Sequence, residues 1–218
     1  MRVLAGLAMA IALSGDSVFA QAPTDAPIAA ATTPPAADEE EWSFSASAYT
    51  YFVPDDRDYV QPTVTADRGW LHLEARYNYE ALDTGSAWVG YNFSGGDTLA
   101  WELTPMIGGV FGDTTGVAPG YKGSLSWLKL ELYSEGEYVF DTGSTSDSFF
   151  YNWSELTLAP AEWFRFGLVT QRTRVYKSDR DIQRGVLAGV SFARGSLTGY
   201  VLNPDEEPTF VLAAVVLF

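Results

Sequence analysis

The strongest constraint on this chain is a two-residue rhythm. In WLHLEARYNYE (residues 70–80), Leu71, Leu73, Ala75, Tyr77 and Tyr79 take one parity, while His72, Glu74, Arg76, Asn78 and Glu80 take the other. Successive side chains of a strand point to opposite faces, so this segment has one apolar and one charged face. The rhythm returns along the chain. Leu99, Trp101 and Leu103 oppose Glu102 and Thr104. Leu128, Leu130 and Leu132 oppose Lys129, Glu131, Tyr133, Glu135 and Glu137. Phe164, Phe166 and Leu168 oppose Arg165 and Gln171. Such strands have two solutions. With the apolar face inward they build a soluble sandwich or a lipocalin-like barrel. With the apolar face outward they need lipid as solvent and a polar lumen.

Turn residues punctuate this rhythm into twelve segments. They start at WSFSASAYTYFV (42–53) and YVQPTVTA (59–66) and end at LTGYVL and TFVLAAVVLF. The connections alternate. DRG, GGD, a poorly marked turn near Trp127, APAE and RGS are short; PDDRD, LDTGS, GDTTGVAPG, DTGSTSDS, SDRDIQ and NPDEEP are mostly longer. Short turns at one end and longer loops at the other are expected of an outer-membrane barrel with an even number of antiparallel strands. Two points are weak: Pro62, which cannot donate a ladder hydrogen bond, and the turn near Trp127. If both fail, ten strands remain.

The termini choose the direction. Arg2, the apolar run Val3–Leu13 and Val18-Phe19-Ala20 read as a secretory signal peptide cleaved near Ala20. Residues 21–41, rich in Ala, Pro and Thr and ending in four acids, read as a disordered leader. Residues 42–218 then form the barrel. Its last strand carries Phe210, Leu212, Ala214, Val216 and a final Phe218 at alternate positions. This resembles the C-terminal strand signal of bacterial outer-membrane β-barrel proteins. The resemblance implies that the strand is read by the barrel-assembly machinery and that the protein resides in the outer membrane. The expected fold is all-β: a transmembrane antiparallel up-and-down barrel with lipid as its outer partner. In lipid every backbone group must be paired, which requires closure.

Composition narrows function by exclusion. The net charge of −15 gives no basic patch for nucleic acid. With no cysteine, thiol chemistry and cysteine metal sites are excluded, and one histidine with scattered carboxylates offers no metal-ligand spacing. No cofactor is implied. Aromatic residues make up 15% of the chain, in keeping with membrane interfaces.

The expected lumen-lining set is His72, Glu74, Arg76, Asn78, Glu80, Glu102, Lys129, Glu131, Glu135, Glu137, Glu155, Arg165 and Gln171. It is net acidic, which favours cations over anions. The first expectation is therefore a small passive channel for cations or small solutes. The second is a non-conducting structural or interaction barrel with a salt-bridged interior. The third is a lipid-modifying enzyme centred on His72. The chain is similar in size to the outer-membrane phospholipase and lipid A deacylase barrels, which pair a His base with a Ser two residues on. Here Glu74 holds that second position, so the motif is absent and no catalytic residue is assigned. The small oligosaccharide porins are also similar in size, but their basic lumen differs from this acidic one. Arg172 and Arg174 share the parity of Phe164 and Phe166 and are expected at the outer rim, near lipid headgroups.

Overall fold

The computed structural model describes residues 41–54, 56–143, 148–175 and 181–218; the side chains of residues 173–175 and 181 are not described. The proposed signal peptide and all but the last residue of the leader lie outside these residues. Thirteen strand segments follow in order: β1 (Ser43–Phe52), β2 (Tyr59–Arg68), β3 (Leu71–Tyr77), β4 (Thr84–Tyr91), β5 (Phe93–Gly95), β6 (Leu99–Gly112), β7 (Gly116–Trp127), β8 (Leu130–Asp141), β9 (Phe149–Ala161), β10 (Phe164–Val175), β11 (Asp181–Phe192), β12 (Gly195–Leu202) and β13 (Thr209–Leu217). Each pairs antiparallel with its chain neighbour, except β4 with β5, and β1 pairs with β13. The β4–β6 pairing completes the ring.

β4 and β5 are two halves of one strand. Gly90 faces Met106 and Phe93 faces Leu103, so the register on β6 is continuous across the gap. The gap lies opposite Pro105, which has no N–H to give. The barrel is thus closed and twelve-stranded.

Both weak points of the sequence hold as structure. Pro62 lies within β2 opposite Ala48, one residue beyond the β2–β3 ladder that starts at Thr63–Arg76. β7 and β8 turn through Leu128, a leucine at φ +56°. That turn is unmarked in the sequence because it uses neither Gly nor Asn for its left-handed residue. The expected loop 112–120 is shorter than its composition suggests. Gly116 to Gly120 pair with β6, and only the β7–β8 ladder skips Ala118 and Pro119.

The outer wall is apolar. Trp42, Trp70, Trp101, Trp127 and Trp163 are exposed near the short-turn end, and Phe52, Tyr77, Phe111, Phe140 and Phe210 near the long-loop end. Trp101 and Phe111 lie ten residues apart on β6. At about 3.4 Å per residue and a strand tilt of about 40°, this separates the two aromatic rings by about 26 Å. That height matches the hydrocarbon band of an outer-membrane barrel. Phe210, Leu212, Val216 and Phe218 are exposed large apolar side chains, and Ala214 shares their face of β13. At the long-loop end Arg184 donates to Asp205 at 2.6 Å, and this bond holds the exposed Asp205 carboxyl below its usual range.

Candidate functional site

The inner parity of the strands fills the barrel instead of lining an open tube. Across its middle, Tyr49, Tyr51, Tyr79, Tyr151, Trp153 and Tyr200 are at most 2% exposed. Tyr51 stacks on Tyr59 at 4.7 Å between ring centres. Except for Tyr79, which lies beyond the end of β3, these aromatics share parity with the polar residues of their own strands, as Trp153 does with Glu155 and Tyr200 with Thr198. The expected lumen-lining set holds no tyrosine or tryptophan. Parity is the signal that finds all of these aromatics but Tyr79.

Into this aromatic layer is set an ion cluster centred on Arg76. Its Nε donates to Glu74 and its Nη1 to Glu137 at 2.8 Å, with Glu80 at 3.8 Å. The guanidinium also lies 4.0 Å from the ring centre of Tyr79 and 4.4 Å from that of Trp88. Both contacts are within cation–π range. Trp88 can lie there because Gly108 faces it across the β4–β6 pair. A Cβ on Gly108 would come within 2.4 Å of the indole. Glu74 also accepts from Lys122, a residue the sequence reading passed over although it shares parity with Ser124 and Ser126. Glu135 accepts from Tyr79 and, at 2.5 Å, from Tyr133. Ser86 donates to Glu80 at 2.5 Å and receives the Trp88 indole N–H at 2.9 Å. All charged members of this cluster are 6% exposed or less. Unpaired charges could not be held dry in this way; here most are paired or hydrogen-bonded.

A second cluster joins β9, β10 and β12. Glu155 accepts from Trp153 Nε1 and Tyr200 Oη, each at 3.0 Å, and from Arg165 at 3.2 Å. Arg165 also donates to Thr198. Gln171 is buried on the same face of β10.

Toward the short-turn end the inner residues become small: Ser43, Ser94, Ser124, Ser126 and Ser191. A cavity of about 510 Å³ opens there, with His72, Lys122 and Tyr133 at its inner end. His72 bridges Asp67 (Nδ1, 2.7 Å) and Glu74 (Nε2, 3.0 Å). Glu102, Lys129 and Glu131 line this vestibule and not the sealed middle. Lys129 stands in the β7–β8 turn and donates to the Pro160 carbonyl at 2.8 Å.

Two expectations at the end of β3 need correction. The strand ends at Tyr77, and Asn78 takes φ +56°. The alternation is broken there. The Asn78 side chain serves the loop, bonding the Val60 carbonyl and the Asp83 N–H. Tyr79 turns inward, not to lipid, and Glu80 is fully buried from a loop position. Near the long-loop end of β10, the Arg172 guanidinium lies 5.8 Å from the ring centre of Phe150. The backbone of Arg174 pairs with Phe150, but its side chain lies outside the described residues. Among the described residues no cluster of three or more His, Asp or Glu side chains forms a metal site.

No family model matches the chain, and no curated protein does. A solved structure described as KdgM porin superposes with a TM-score of 0.56 at 8% identity, over 79% of this chain and 98% of that one. The likeness is one of fold: a closed, twelve-stranded antiparallel barrel.

Proposed function

We propose that this protein is an outer-membrane barrel whose lumen is held shut by an aromatic and salt-bridged plug, leaving a blind vestibule on the short-turn, periplasmic side. The observation that carries this reading is the packed middle: the Arg76 cluster and the tyrosines around it are almost fully buried. A path for ions needs water along its whole length, and a packed layer offers none. The apolar outer wall and its two aromatic rings support the membrane location. Outer-membrane lipid is then the outer partner, and the β13 face bearing Phe210, Leu212, Ala214, Val216 and Phe218 is offered to the barrel-assembly machinery. Export would require cleavage near Ala20, which N-terminal sequencing of the membrane form would read.

The test is planar-bilayer recording of the purified full chain. Silence at neutral pH is expected; steady ohmic steps from the wild-type protein would overturn the reading. A passive, cation-preferring channel is the second reading. It is favoured by the likeness to a protein described as a porin and by Glu102, Glu131 and Glu162 around the vestibule. An enzyme is disfavoured, because both ring nitrogens of His72 are already engaged by carboxylates and neither is directed at a serine.

A further inference from the structure

Among the described residues the outer wall carries a cluster of polar side chains. At mid-height on β7, β8 and β9, the lipid-facing parity carries Tyr121, Ser134, Asn152 and Ser154 where its neighbours carry Leu125, Leu132, Leu156 and Phe140. The four side chains converge. Tyr121 Oη lies 3.1 Å from Ser134 Oγ; Asn152 Nδ2 lies 3.0 Å from Tyr121 Oη and 3.1 Å from Ser134 Oγ; Ser154 Oγ donates to Ser134 Oγ at 3.0 Å. Beside them Gly136 is buried beneath the Tyr121 ring, which a Cβ there would meet at 3.0 Å, and the Asn152 amide also donates to the Glu135 carbonyl at 2.8 Å. Thr170, opposite Ser154 on β10, extends the patch as an exposed polar residue. Lipid tails can neither donate nor accept hydrogen bonds, so hydroxyls and an amide in this belt lack any gain from facing them.

We propose that this patch is the contact surface for a second copy of the same chain. The proposal rests on the membrane reading above, though not on whether the lumen conducts. Two copies inserted by the same route share one orientation, so a two-fold axis relating them runs along the membrane normal. That axis brings the same patch of each copy face to face. A patch of this kind must be self-complementary. The side chains are: each hydroxyl and the Asn152 amide both donates and accepts, and none carries a charge that would meet its like. Ser134 and Ser154 are small and half exposed on the outer wall, which gives the close approach that small residues provide in membrane interfaces.

The chain contains no cysteine, so single-cysteine crosslinking starts from a silent background. Leu132→Cys lies next to the patch and leaves its polar groups intact; Val64→Cys lies on the lipid face of β2, away from it. Membranes carrying each variant are treated with a short thiol-to-thiol crosslinker, and the purified protein is sized in detergent by light scattering. The expected result is several-fold more dimer from Leu132→Cys than from Val64→Cys, and a particle holding two protein copies. Asn152→Leu with Ser154→Val should return it to one copy while heat-modifiable gel mobility, the mark of the folded barrel, is kept. Equal crosslinking at both sites with a one-copy particle would overturn the proposal. So would a crosslinked product of other mass in native membranes, which would mean a different protein covers the patch. Recovery in the soluble fraction would instead overturn the membrane reading, and this proposal with it.

Discussion

Replacing Arg76 by alanine tests the closed lumen most directly. The guanidinium is bonded to Glu74 and Glu137 and lies against the rings of Tyr79 and Trp88. Deleting one partner of a buried ion pair costs about 3–5 kcal/mol, since the other is left charged and dry. Each desolvated cation–π contact adds up to about 2 kcal/mol, but one guanidinium makes both contacts, so these values overlap and do not sum. A loss of about 4 kcal/mol is expected if the gap stays dry, roughly a thousandfold in the folding equilibrium. If water enters to solvate Glu74, Glu80 and Glu137, the loss is smaller and conductance steps appear. Urea titration of the refolded protein in detergent measures the first outcome, and bilayer recording measures the second. Arg76→Met with Glu137→Gln removes one charge of each sign and leaves Glu74 paired with Lys122, so it should recover much of the stability, because the cost resides in the orphaned carboxylate. An Arg76→Ala protein within about 0.5 kcal/mol of wild type and electrically silent would refute the reasoning, since that is the range of an inconsequential surface change.

Two further outcomes follow from backbone positions. Gly108→Ala should destabilise the barrel by about 1–3 kcal/mol through overpacking, because the new Cβ meets the rigid Trp88 indole; a shifted urea midpoint with altered tryptophan fluorescence is the check, and an unchanged protein would mean Trp88 is not pinned. Leu128→Gly should act in the opposite direction. It relieves a leucine held in the left-handed region, and the gain, read from the same titration, should be about 0.5–1 kcal/mol.

Much of the fold was legible because a strand's alternation has a fixed period. The twelve strands, the short and long connections and the inward parity of Glu74, Arg76, Glu135, Glu137 and Glu155 all follow from it. Where the period breaks, the reading breaks with it: Asn78 in the left-handed region sends Tyr79 inward. The loop at 112–120 was overextended because Gly and Pro mark turns only on average; here Pro119 costs one ladder while the β6–β7 ladder runs through it.

Alternation states which residues share a face, but not what that face meets or how many faces converge on one point. Arg76, Glu137 and Lys122 come from three strands, with Arg76 and Glu137 61 positions apart in sequence and Lys122 reaching Glu74 over 48. Tyr121, Ser134 and Asn152 likewise read as three unremarkable polar residues until adjacent registers bring them together on the outer wall. A local pattern carries a period of two and nothing longer. The meeting of distant strands depends on closure, shear and register around the whole ring, and these bring the aromatic and ionic side chains together across the middle of the barrel.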